Sequence, residues 1–95
     1  MKVEFTGKNI KVTDALKTKL LEKLKHIESH LDHIISAHVI FKIDNITQIV
    51  EVQLHVPGKD IFAEASSEDM YKSIDLVKDK LMTQINKYKQ KTRGE

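Results

Sequence analysis

Residues 37–56 read AHVIFKIDNITQIVEVQLHV, and their alternation decides the fold. Ala37, Val39, Phe41 and Ile43 are interleaved with His38, Ile40 and Lys42; Val50, Val52, Leu54 and Val56 are interleaved with Ile49, Glu51, Gln53 and His55. A period of two places one set on each side of an extended strand. Asp44 and Asn45, between the two runs, are turn formers, so the stretch predicts a β-hairpin with one strongly apolar face.

Working outward from the hairpin, Pro57-Gly58 is the strongest turn dipeptide in the chain, and Ile61 to Ala65 can return as a shorter fourth strand. Ser66-Ser67-Glu68-Asp69 then reads as a capping box in which the Ser66 oxygen and the Asp69 carboxylate satisfy reciprocal backbone donors. Met70, Ile74, Val77, Leu81, Ile85 and Tyr88 follow at three- and four-residue steps, the stripe of an amphipathic helix, with a flexible tail expected from about residue 92. On the other side of the hairpin, Leu16, Leu20, Leu24, Ile27 and Leu31 form a second helical stripe, with Thr13 as N-cap and Asp14 as an acid in the first turn. Val3 to Thr6 alternates as a short strand, and Gly7 with Asn9 supplies the turn after it.

The element order is therefore βαβββα. A right-handed crossover through the first helix makes strands one and two parallel, and the hairpins make the remaining pairs antiparallel. The expectation is an α+β two-layer sandwich: a four-stranded mixed sheet with two helices packed on one face, residues 1–95 forming a single domain.

At 95 residues the chain can bury one modest core. Its apolar runs are too short for a membrane span or a secretory h-region, and it has no cysteine, so disulfides and thiolate chemistry are excluded. The expectation is a cytoplasmic protein. Sixteen Lys and Arg against 14 Asp and Glu leave a formal charge of +2, too small to announce a nucleic-acid binder, so the distribution of charge has to decide.

Lys19, Lys23, His26 and His30 follow one another at steps of four, three and four, along one flank of the first helix. Lys80, Gln84, Lys87 and Lys91 repeat that spacing on the second. One lysine on an amphipathic helix is ordinary solvation, but two matched rows suit phosphates spaced along an RNA backbone, and they can border a common groove or outer surface. Glu22, Glu28, Asp75 and Asp79 are expected to lie away from the rows, leaving them clean; Lys89 and Arg93 project from another side and are secondary. Tyr71 is explained neither by capping nor by the core: it either packs beside the sheet edge or stacks on a base or bonds a phosphate. Ile40, Ile49 and Phe62 fall on the sheet face away from the helices, where a partner protein could cover them.

His26 and His30, four apart with His33 and His38 nearby, superficially suggest a metal site. They lack the HExxH arrangement, there is no thiolate, and a lysine-rich flank repels a cation. No nucleophile and base ordering, phosphate-cradling glycine loop or pocket-forming carboxylate pair can be assembled either. No catalytic residue, metal, cofactor, small-molecule substrate or membrane partner is expected.

With these motifs in place, the chain resembles the short ribosome hibernation-promoting factors along essentially its whole length. The resemblance is carried by Thr6-Gly7-Lys8-Asn9-Ile10 leading to Val12-Thr13-Asp14-Ala15-Leu16, by Lys23-Leu24, and above all by Asp69-Met70-Tyr71-Lys72-Ser73-Ile74-Asp75 with Lys80-Leu81, Gln84 and Lys87. It implies a stationary-phase factor that occupies the decoding region of the small ribosomal subunit, where messenger and transfer RNA would otherwise sit. The positions matching the family's rRNA-contacting basic residues are Lys23, Lys80, Lys87 and Lys91. His26 stands where relatives often have lysine, Thr83 where a close relative has arginine, and Ser73 where alanine is common. Because the sequence stops at Glu95, the resemblance is to a short form, which implies that inactive ribosome dimers form only with a separate ribosome modulation factor. Two other classes remain beside this one: a general double-stranded RNA module sharing the αβββα order, and a protein-interaction adaptor using Ile40, Ile49 and Phe62.

Overall fold

Alternating apolar residues give a sheet with one greasy face, and two apolar helical stripes give the layer that covers it. A computed structural model describes residues 1–31 and 33–93, with side chains described as far as residue 90. The order is β1 (Lys2–Lys8), α1 (Asp14–Glu28), β2 (Ser36–Asp44), β3 (Thr47–Val56), β4 (Lys59–Ser67) and α2 (Met70–Arg93). The strands form one sheet in the spatial order β1-β2-β3-β4, parallel between β1 and β2 and antiparallel elsewhere. This is the βαβββα sandwich that the alternation predicts. The expected tail from about residue 92 lies, beyond the helical backbone of Thr92 and Arg93, outside the described residues.

The register explains the core. Phe41 pairs with Val50, Val39 with Val52 and Ala37 with Leu54; Val50 pairs in turn with Ala65, Val52 with Ala63 and Leu54 with Ile61. All these side chains are buried, against Leu16, Leu20, Leu24 and Ile27 of α1 and Ile74, Val77, Leu81 and Ile85 of α2. A slip of one residue would turn every one of them to solvent, so burial pins the register. Each buried Leu, Ile or Phe contributes about 1.5–3 kcal/mol of transfer free energy.

Both hairpins close over two residues. Asn45 takes φ 61° in the first, and Gly58 takes φ 78° after Pro57 in the second, the positive φ that a type II turn requires after its proline. At Gly7 the need is space: a Cβ there would run into the Ile10 carbonyl oxygen, because the chain folds back over the end of β1 toward α1.

Three local expectations are corrected. The first helix ends at Glu28, so Leu31, though buried, packs from the turn that follows. The Ser29 hydroxyl bonds the His26 carbonyl and its N–H reaches the carbonyls of Lys25 and His26, so this cap ends the helix before the apolar stripe ends. Strands one and four are longer than expected, since both lie at the margins of the sheet where polar residues can still extend the ladder.

The third correction is the cap of α2. β4 runs through Ser67, so the period of two turns Ser66 to the face away from the helices, where it cannot reach the helix start. Asp69 is the N-cap, its Oδ1 accepting the Tyr71 N–H at 3.0 Å. Ser67 Oγ accepts the Asp69 N–H at 3.2 Å, lies 2.8 Å from Ser73 Oγ, and Ser73 Oγ donates to the Gln48 carbonyl at 2.7 Å. This chain of hydroxyls ties the start of α2 to β3, and Ser73 is the one buried polar residue among those described.

Candidate nucleic-acid interface

Thr13 Oγ1 accepts the Leu16 N–H at 3.2 Å and starts α1. Burial of Leu16, Leu20, Leu24 and Ile27 then fixes the helix's rotation. The row Lys19, Lys23, His26 consequently runs along the flank of α1 that faces α2, at the rim of the groove between the helices.

That flank is not free of acids. Lys23 Nζ lies 3.1 Å and Lys19 Nζ 3.5 Å from Oδ1 of Asp75 on α2. The expectation that Asp75 stands away from the rows is therefore wrong. Asp75 does stand away from the row on its own helix, but packing swings it against the row on the other, which periodicity along one helix cannot reveal. The Lys23 ammonium, with help from Lys19, holds the Asp75 carboxyl below the usual carboxylate range despite some desolvation.

The α2 row sits elsewhere. Lys80 Nζ donates to the Glu64 carbonyl of β4 at 2.8 Å, and Lys80, Thr83 and Gln84 border an open recess of about 370 Å³ with Phe62, Ala63 and Glu64. This is the outer flank of α2, above the free edge of the sheet. The two rows do not border a common groove; they run as separate stripes with α2 between them, one helix diameter or about 10 Å apart. Lys87 is exposed and continues the outer stripe. Lys91 belongs to the same row by spacing, but its side chain lies outside the described residues.

The groove also contains residues outside the two rows. Tyr71, Asp75, Lys78, Met82 and Lys89 follow at steps of four, three, four and seven on the α1-facing side of α2. Tyr71 is exposed there, next to the start of the helix, and does not pack into the core. Lys78 is the main positive influence on His26, lowering its pKa from 6.5, ahead of burial, His30 and Lys23. Lys89 Nζ donates to the His30 carbonyl at 2.9 Å, strapping the turn after α1 to α2. The same helical-spacing rule that exposed the two rows would have found this third line, had an acid and a methionine within it not broken its basic appearance. Thr83, the position expected to have lost a cationic contact, bonds back to the Asp79 carbonyl at 3.2 Å.

The opposite sheet face differs in kind. Several of its charges are paired locally: Lys42 Nζ with Glu51 at 2.7 Å, and Asp60 with His55 Nδ1 at 2.6 Å and Gln53 Nε2 at 3.0 Å. Phe62 is half-exposed there, whereas Ile40 and Ile49 are largely covered. Among the described residues no group of histidines and acids has the geometry to hold a metal ion, and no helix is long and apolar enough to cross a membrane.

A two-helix layer over a β1-β2-β3-β4 sheet has known counterparts. The sequence profile described as Sigma 54 modulation protein / S30EA ribosomal protein matches residues 3–93. The chain belongs to this family. Among S30EA relatives, a ribosome hibernation promoting factor of Pseudomonas putida is 43% identical over 94 residues, covering 99% of this chain and 92% of the relative. The factor of the same description from Escherichia coli is 36% identical over 93 residues, covering 98% of each. A solved structure of a ribosomal subunit interface protein from Coxiella burnetii superimposes with a TM-score of 0.89 at 39% identity, covering 94% of this chain and 98% of that one. The N-terminal domain of Thermus thermophilus Protein Y gives 0.85 at 27%, covering 93% and 99%. The S30EA family is one of ribosome-associated factors and not of enzymes.

Proposed function

We propose that this chain is a cytoplasmic ribosome hibernation factor that binds small-subunit rRNA in the decoding region, excludes messenger and transfer RNA, and silences translation in stationary phase. The observation that carries this reading is the helical layer: separate basic stripes on one surface, Lys19 and Lys23 with Lys78 and Lys89 along the groove and Lys80 with Lys87 along the outer flank. Phosphates recur along an RNA strand, so stripes about a helix width apart can engage two segments of a folded RNA where a single cluster would engage one. Tyr71, exposed at the head of the groove, is suited to stack on an unpaired base. The names of the relatives, hibernation promoting factors and a subunit interface protein, support the ribosome as the partner.

The RNA-contacting set is Lys19, Lys23, His26, Tyr71, Lys80, Gln84, Lys87 and Lys91. A separate ribosome modulation factor is the partner with which inactive ribosome dimers would form. A general double-stranded RNA module is disfavoured by the start of α2, where Glu68 and the capping Asp69 stand in place of a lysine cluster. Cosedimentation with purified small subunits tests the proposal. Binding should be displaced by transfer RNA; binding indifferent to transfer RNA would sink the decoding-region reading.

A further inference from the structure

The end of the groove nearest the turn after α1 holds a cluster that the basic stripes do not explain. The rings of His26 and His30 meet edge to face with centroids 4.9 Å apart, both exposed. Lys23 lies one turn back on α1, Lys78 faces His26 from α2, and Lys89 reaches the His30 carbonyl. No carboxylate is paired with His26, His30, Lys78 or Lys89 among the described residues. Asp75 is taken by Lys19 and Lys23, while Glu22, one turn back on α1, makes no ion pair there.

Positive charge gathered here, with no counterion at Lys78 or Lys89, disfavours a proton on His26. That is why His26 titrates below its ordinary value: Lys78 chiefly, then burial, His30 and Lys23. Apart from the Lys89 strap to the His30 carbonyl, the fold gains nothing from gathering these charges. An anion would.

We infer that His26, His30, Lys78 and Lys89 form a seat for an RNA phosphate, and that filling it takes up protons on the two imidazoles. The inference rests on the RNA-binding reading for the identity of the anion. A phosphodiester entering the seat replaces the missing counterion. It favours the imidazolium forms, whose ring N–H groups become charge-assisted donors to its oxygens. Each proton taken up makes binding pH-dependent, by up to about tenfold per pH unit between the free and bound titration ranges. This chain's grip on RNA therefore tightens on acidification.

The test follows the ring signals of the five histidines in the full chain by NMR, free and with inorganic tripolyphosphate. His26 and His30 should titrate at higher pH with the anion present, by about half a unit or more, while His33, His38 and His55 keep their midpoints. If His26 and His30 move no more than the other three, the seat does not exist. In parallel, small-subunit binding is compared at matched ionic strength at about pH 6 and about pH 7.5, either side of the ordinary imidazole value. Wild type should bind on the order of threefold to tenfold tighter at the lower pH. The His26→Gln/His30→Gln variant should lose that dependence, and His26→Lys/His30→Lys should bind tightly at both. A glutamine variant that keeps the wild-type pH dependence overturns the inference. Failure to bind subunits at either pH would overturn the proposed function instead, with the tripolyphosphate titration still deciding the seat.

Discussion

The two basic rows share a spacing and differ in circumstance. Lys19 and Lys23 on α1 face a neighbouring helix and are held by its carboxylate; Lys80 on the outer flank of α2 meets only a backbone carbonyl at the sheet edge, and Lys87 is exposed. Spacing sets which side of a helix a charge occupies, and packing sets whether that charge is already engaged. An RNA phosphate approaching α1 must compete with Asp75 for the ammonium groups. One approaching α2 displaces at most a single hydrogen bond from a neutral oxygen. The outer row should therefore dominate affinity.

The largest effect is expected from Lys80→Ala/Lys87→Ala. Losing two phosphate contacts should lower the salt slope of ribosome binding by about 2 and weaken binding by tenfold or more, to be read from cosedimentation at several salt concentrations. Thermal stability should hardly change. Lys19→Ala/Lys23→Ala should cost clearly less, because Asp75 already partly neutralises both ammonium groups in wild type; an equal loss from both pairs would erase the contrast between the rows. Next is Asp75→Asn, which frees both lysines and removes a negative charge from the interface. Binding should tighten by about threefold at low salt and converge on wild type at high salt.

The same carboxyl gives a stability prediction. Its pKa is lowered in the fold, so its contribution is fully present above the unfolded value near 3.8 and is lost as pH falls through the lower folded value. Acid unfolding followed by circular dichroism should show this limb in wild type and lose it in Asp75→Asn. The size should be small, since exposed ion pairs contribute at most about 1 kcal/mol. Ser73→Ala sharpens the comparison from the other side. It breaks the hydroxyl chain to Gln48 far from both rows and should lower stability by about 1 kcal/mol without changing ribosome binding.

The hairpin alternation from Ala37 to Val56 dictates the sheet, and the stripes of Leu16 to Ile27 and Met70 to Ile85 dictate its cover, because burial enforces those periods. Where burial stops deciding, sequence reading goes astray. Leu31 prolongs the stripe of α1 in sequence, yet the Ser29 cap ends the helix first. Ser66 fits a capping motif, yet the strand carries it to the wrong face. The members of the site follow the same division: the rows on each helix are visible in the spacing, but Asp75, Lys78 and Lys89 join the groove through the relative placement of two helices, which no single-helix pattern encodes. The resemblance carried by the Asp69 to Lys87 block points to the family without revealing that placement.

Lys80 has a second consequence. β4 is an edge strand, and the Glu64 carbonyl that Lys80 covers points away from the sheet, where another copy's strand could dock on it. A flexible charged side chain lying across that edge makes such pairing costly.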